Sequence, residues 1–405
     1  MKKVINLFYF GLLLFAFFPI IPNKLKGLPV IVLFLISIFL FLKKKEYKLN
    51  LKKVLTYASI YIFYIISLLY SSSLDKIDKT LTTRISLLIF PLLFGLANTT
   101  IKAISEKEKQ FFLWTYFTVS ILYCGMIVYY FYQIGFITQK VSINLFYSHL
   151  TNRMWYINQH PIYASIFVSI GLLFGIKLLY SESSIKYKIV IVIGLVTLFS
   201  MLLFLSRKGV LLATILATIP LVLYFQNYYN YKNLLLGIII VSLMFFISPM
   251  TQKRFKEVFN LSSYTKVENT NSTSIRYGIY QCALKKIKEK PIFGHGIGDV
   301  KNELNECYSK ASSVLLKGKY NSHNQYLSIL LSNGIVGLII FISFLFINFR
   351  KAILQNNQLF FSLLTFFSII MLFENILERQ SGVILFSLFI NFFAFIDIKK
   401  DRNKS

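Results

Sequence analysis

Acidic side chains are scarce in this sequence. Sixteen Asp and Glu stand against 44 Lys and Arg among 405 residues, a formal charge of +28. Histidine occurs four times and cysteine three. No two histidines have the H-x-x-x-H or H-E-x-x-H spacing, so no metal site and no cofactor is implied. The G-x-S-x-G elbow of serine hydrolases is missing too. No basic helix or aromatic sheet module accompanies the positive charge, which argues against nucleic acid as a partner. Apolar and polar residues do not alternate in runs such as Ile189–Phe204 and Ile335–Ile347, as strands of a transmembrane barrel would require. No small-residue cleavage site follows the first apolar run. Pro22-Asn23-Lys24 follows instead, so that run is expected to stay as a span rather than to be removed as a signal peptide.

Long apolar runs are what the chain has in abundance. Hydrophobic residues make up 56% and aromatic residues 17%, with a mean hydropathy of +0.63. A run of roughly 20 helical residues crosses about 30 Å of hydrocarbon. Backbone groups in lipid must bond within their own segment, so these runs read as helices. The expected fold is all-α and polytopic, with about 12 spans at 5–22, 28–42, 55–70, 85–98, 111–135, 161–179, 188–205, 209–225, 233–249, 325–349, 358–373 and 382–398. Pro91 and Gly95 interrupt the fourth. Spans 1–9 thus fill 1–249, a polar segment fills 250–324, and the last three spans with a tail fill 325–405.

Orientation follows from the positive-inside rule. With both termini in the cytoplasm, inside segments hold 21 Lys and Arg and short outside loops hold 10. The 250–324 segment then lies outside and carries the other 13, with six acids. A basic face of that kind suits an anionic, phosphate-bearing substrate. Anionic membrane lipid accounts for part of the remaining charge. Within this segment a helix is expected near 274–290, capped by Ser274 and striped by Ile275, Ile279, Cys282, Ala283 and Ile287. Pro291 ends it, and a second helix follows near 299–312. Cys282 and Cys307 fall in the two helices. An oxidising compartment permits a disulfide between them, and two unrelated thiols are the alternative.

Ionisable residues at membrane depth are costly and mark candidate sites. Arg207 and Lys208 sit between two apolar runs in Ser206-Arg207-Lys208-Gly209. They either snorkel at the interface or grip a phosphate, for which a guanidinium fork is suited. Arg276 opens the loop helix, either as a solvated charge or as a second anion ligand. His323 and Asn324 precede a span in His323-Asn-Gln-Tyr326-Leu. His323 is either a helix-start residue or a proton acceptor near working pH. His160 opens the sixth span in the same way. Glu374, Glu378 and Arg379 lie between the last two spans, as interfacial ion pairs or as groups orienting Arg207 or a sugar. Gly294-His-Gly-Ile-Gly298 only loosely resembles a phosphate-cradling loop, because no strand precedes it.

Three segments together resemble the bacterial O-antigen ligase and polymerase family of membrane glycosyltransferases. They are Ser206-Arg207-Lys208-Gly209, then Arg276 with Pro291-Ile-Phe-Gly-His-Gly-Ile-Gly298, then His323-Asn324-Gln-Tyr326-Leu327 with Asn333-Gly334-Ile-Val-Gly337-Leu338. The family typically has Glu where this chain has Asn333, and Arg-Gly where it has Arg-Lys-Gly. The resemblance implies an inner-membrane enzyme with its site on the periplasmic face. It implies metal-independent, inverting transfer of a glycan from undecaprenyl diphosphate to a hydroxyl of the lipid A core or of another glycan. In that reading Arg207 and Arg276 hold the diphosphate and His323 is the base. Lys208, Asn324, Tyr326, His160, Glu374 and Arg379 are substrate-binding candidates. The alternative is a transporter or flippase of a lipid-linked or anionic solute. That class places charges in span centres and shows paired broken helices, and this sequence shows neither.

Overall fold

The computed structural model describes residues 2–43, 49–75, 77–135, 143–225, 256, 259–265, 267–268 and 271–396. Among them there are helices and turns but no strands. The first half of the chain forms α1 (Lys2–Leu13), α2 (Leu28–Lys43), α3 (Leu51–Ile66), α4 (Ile77–Arg84), α5 (Ser86–Leu96), α6 (Asn98–Lys102), α7 (Glu106–Gln133) and α8 (Ile143–Asn152). Then come α9 (Pro161–Ser181), α10 (Ile185–Leu205) and α11 (Lys208–Phe225). The polar segment holds α12 (Ser272–Glu289), α13 (Val300–Ala311) and α14 (Ser313–Gly318). The chain closes with α15 (Gln325–Leu354), α16 (Gln358–Ile370) and α17 (Gln380–Phe395).

Seven described helices are long and apolar enough to cross a membrane by length and composition, and four more apolar helices are shorter. These eleven fall on eleven of the expected spans. The remaining one, 233–249, lies outside the described residues. The fourth span is the run Ile77–Leu96, in which α4 and α5 join and Pro91 is held inside α5. Helix α10 leaves Ile189, Val190, Val192, Ile193 and Val196 exposed along its length. Such an apolar surface is stable against lipid, not water. The chain is an all-helical, multi-pass membrane protein. Helix α9 is its central post, buried from Pro161 to Gly175 and flanked by α7, α10 and α11.

Helices α12 and α13 form a hairpin closed by the Cys282–Cys307 disulfide, with Cα atoms 5.7 Å apart. Ile279, Cys282, Ala283, Leu304, Cys307, Tyr308, Leu315 and Leu331 make a second core separate from that of the bundle. The cap of α12 is not Ser274. Asn271 accepts from the amides of Thr273 (3.0 Å) and Ser274 (3.2 Å), and Ser274 is buried one turn further on. An amide oxygen three residues earlier satisfies the free N–H groups, so the helix starts earlier.

The hairpin is stitched to the bundle through a break in α15. Gly334 has φ 62° and ψ −162°, a conformation essentially confined to glycine. The break frees carbonyls that the 291–298 turn fills. His295 N–H donates to Leu331 O (2.7 Å) and Gly296 N–H to Ser332 O (3.0 Å). Ile335 N–H donates back to Pro291 O (2.9 Å). Beyond the turn, Asp299 accepts from the amides of Ser72 (2.6 Å) and Ser73 (2.7 Å), behind α3. At Gly296, φ 88°, a Cβ would stand 2.2 Å from Ser71 Oγ. These glycines therefore serve close backbone contact, not a phosphate cradle. Asn333, at the family's Glu position, is buried; its Nδ2 donates to Phe63 O (2.9 Å) and its Oδ1 accepts from Ser332 Oγ (2.6 Å).

Candidate functional site

The site lies at the hairpin end of the bundle, where α9, α11, α15 and α17 begin and α10 and α16 end. Helix α10 stops because Ser206 turns into the left-handed region, φ 49°, with its hydroxyl donating to Leu203 O (2.7 Å). Only Arg207 separates this turn from α11. Its guanidinium carbon lies 3.9 Å from the centroid of the Tyr147 ring. Tyr147 is held there by donating to Leu205 O (3.2 Å). Such stacking orients a guanidinium while leaving its edge for an anion.

A cavity of about 450 Å³ opens beside this turn. Arg207, Lys208, Arg276 and Glu374 all line it. Its walls are otherwise largely apolar, including Val210, Phe259, Tyr277, Ile370 and Phe373. Lys208 Nζ donates to Thr273 Oγ1 (3.3 Å), tying α11 to the start of α12. Three cationic residues against one carboxylate, in a pocket with largely apolar walls, suit an anionic head attached to an apolar body.

His323 is joined to this cavity through Glu374, which lines it. The residue is in the left-handed region, φ 44°, with its N–H donating to Asn321 Oδ1 (3.2 Å). Its Nδ1 lies 3.2 Å from Glu374 Oε2. Glu374 is buried, which by itself raises a carboxyl pKa. The His323 hydrogen bond and the charges of His323, Arg276 and His160 outweigh burial and hold it below the usual value. An ionised Glu374 favours the tautomer with the proton on Nδ1, leaving Nε2 to accept one. Tyr280 donates to His323 O and to Leu372 O, both at 3.3 Å, clamping the two loops together.

The other candidates divide. His160 caps α9, its Nδ1 accepting from Ile162 N–H (3.4 Å). Although its ring has exposed surface, crowding by protein and then the Arg207 charge lower its pKa to about 4, against an opposing pull from Glu374. It is a neighbour of the same site. Arg379 is exposed and starts α17, close enough to act on His160. Asn324 is occupied as the cap of α15, accepting from the amides of Tyr326 (2.9 Å) and Leu327 (3.1 Å). Tyr326 turns into the bundle, donating to Ser368 O (2.9 Å) and meeting the Phe341 ring edge-on. Both side chains are thus engaged by hydrogen bonds within the fold.

Sequence reasoning did not pair Glu374 with His323, and it missed Tyr147 and Tyr280. It also missed a second polar cluster. Arg84, buried and stacked on Tyr64 at 5.0 Å, lies 3.6 Å from Glu378. Glu378 also accepts from Asn321 (3.0 Å), Ser328 (2.5 Å) and Asn375 (2.8 Å). A carboxylate in an apolar stretch is a signal, but its partner lies some 300 residues away.

Residues 191–342 match the family model for O-antigen ligase. That stretch runs from α10 into α15 and contains Arg207, Arg276 and His323. A search of curated proteins finds no match to the chain.

Proposed function

We propose that this chain, whose residues 191–342 match the family model for O-antigen ligase, moves a glycan from undecaprenyl diphosphate to an acceptor hydroxyl on the periplasmic face of the inner membrane. Glycan transfer of the O-antigen ligase kind is the family's activity. The donor, the side and the absence of a metal from the chemistry are our reading. The observation that carries it is the junction of the cation-lined cavity with the His323–Glu374 pair. The apolar walls accept the first part of the lipid, and Arg207 and Arg276 face its diphosphate.

In the reaction, His323 Nε2 takes the proton of the acceptor hydroxyl as the oxygen forms its bond to the anomeric carbon. The bond from that carbon to the diphosphate oxygen breaks, and the electron pair leaves with the lipid diphosphate. Attack opposite the leaving group inverts the anomeric centre. Glu374 stabilises the imidazolium that forms. Arg207 and Arg276 stabilise the charge growing on the leaving group, the electrostatic part that a metal plays elsewhere. Lys208 adds charge at the same cavity, and Asn324 and Tyr326 hold the His323 loop on the bundle.

The acceptor distinguishes ligase from polymerase. Deleting the gene and resolving lipid A-linked glycans on a gel tests the reading. Loss of all polymer from the lipid A core identifies a ligase, and a core carrying one repeat unit identifies a polymerase. Unchanged surface glycans would contradict both.

A further inference from the structure

A second cavity, about 420 Å³, lies beside the loop that carries His323. Asn321, Ser322 and Tyr320 line it, while the next residue, His323, pairs with Glu374, which lines the first cavity. The left-handed turn at His323 makes this division. It sends Asn321 toward Glu378 in the second cavity and the imidazole toward Glu374 in the first. The Tyr320 ring connects them, with its centroid 5.9 Å from that of His323. One loop is thus a partition with a basic residue in it, and a chamber is associated with each face.

The chambers differ in chemistry. The first is walled by apolar side chains, whereas hydroxyls and amides, including Thr80, Thr83, Asn321, Ser322 and Ser328, run through the second. At its floor Arg84 is buried, and its Nε has no hydrogen-bond partner. At its rim Lys79, Lys301 and Lys319 are exposed, against the one exposed carboxylate of Asp75. The charge of Glu378 is already met by Arg84, Asn321, Ser328 and Asn375. Hydroxyl-rich walls, an aromatic face and a surplus of cations are what an anionic carbohydrate needs.

We infer that this second cavity is a subsite for an acidic carbohydrate, a sugar bearing carboxylate or phosphate, which approaches His323 from the side opposite the lipid diphosphate. The inference rests on the glycan-transfer reading for its purpose but not for its chemistry. Lys79, Lys301 and Lys319 select charge, Arg84 anchors the innermost anionic group, and Tyr320 stacks on a ring next to the reacting hydroxyl.

The test is titration of the full chain in nanodiscs with tetragalacturonic acid, with maltotetraose carrying a terminal phosphate, and with maltotetraose itself. Binding of either charged probe, with no binding of the neutral one, is expected. Carboxylate preference points to an acidic repeat unit and phosphate preference to a phosphorylated core. Lys79→Ala/Lys301→Ala/Lys319→Ala should weaken binding by about tenfold, as three exposed ion pairs of modest strength would. The same charge removed by Lys285→Ala/Lys288→Ala/Lys290→Ala, at exposed positions on α12 and just after it, outside the cavity, should leave it unchanged. Equal loss in both triple variants means general basicity and overturns the subsite. Loss on Arg207→Ala alone puts the probe in the first cavity and overturns it too. If rim-dependent binding persists but no transferase activity exists, the glycan-transfer reading falls and the subsite stands. If transfer to an acidic acceptor is unchanged in the rim variant, the subsite falls and the transfer reading stands.

Discussion

At the scale of single residues, the pairing of His323 with Glu374 sets what the site can do. A carboxylate on Nδ1 fixes the tautomer and stabilises the imidazolium, so Glu374→Gln should lower turnover by at least about tenfold without loss of donor binding, within the range for acid–base groups. Steady-state kinetics separate the two, and wild-type turnover would remove Glu374 from the mechanism. The same pair has a pH signature. The Glu374 pKa is depressed in the fold, so the pair's contribution to stability is present above the ordinary value of 4.5 and is lost as pH falls toward the lower, folded value. The melting difference between wild type and Glu374→Gln should therefore persist from neutral pH down to about 4.5 and close below it. Arg207 makes a different demand. Stacked on Tyr147, it presents a fixed planar fork, which lysine does not replace. Arg207→Lys should cost about 10²-fold in rate, comparable with losing one donor that stabilises transition-state charge. Full rate in this variant would reduce Arg207 to a simple charge.

At the scale of elements, the helices were legible and their interruption was not. Runs of about 20 apolar residues announce spans, and the stripe Ile275–Ile287 announced the loop helix. The break at Gly334 sits inside one long helical run, and only the 291–298 turn that fills it gives it meaning. The glycines of that turn read as a loose phosphate motif, because a ligand and a backbone neighbour demand the same lack of a Cβ. Gly334→Ala should accordingly fail to fold at normal yield, since a Cβ would fall 2.1 Å from Ile292 O. Size-exclusion chromatography of a fluorescent fusion reads this, and normal yield and melting would contradict the close fit. The α12–α13 hairpin carries its own core and staple. In the chain-entropy model a loop spanning 25 positions contributes about 3 kcal/mol. Cys282→Ser/Cys307→Ser should lower the melting temperature of the hairpin measured by local proteolysis while leaving the bundle intact. Unchanged proteolysis would show the second core suffices alone.

At the scale of the whole molecule, one end of the bundle gathers residues that are far apart in the chain. Arg207 and His323 could be picked out singly at span ends, and Arg276 at the start of the loop helix. The cavity shared by Arg207, Arg276 and Glu374, the pairing of Glu374 with His323 and the Arg84–Glu378 pair could not, because packing of non-neighbouring helices decides which span ends meet. Orientation is read from the basic residues at the opposite end, among them Lys43, Lys52, Lys107, Lys186 and Arg350. Single cysteines at Lys301 should therefore react with a membrane-impermeant maleimide added to the periplasmic side, and at Lys186 only after the inner membrane is opened. The reverse pattern would invert the molecule and move the site to the cytoplasm. The most direct measurement is single-turnover transfer from purified undecaprenyl-diphosphate glycan by wild type and His323→Ala, with donor affinity measured in parallel. The predicted result is a rate lower by about 10²–10⁴-fold with donor affinity retained. An unchanged rate in His323→Ala would contradict the assignment of the base and with it the proposed site.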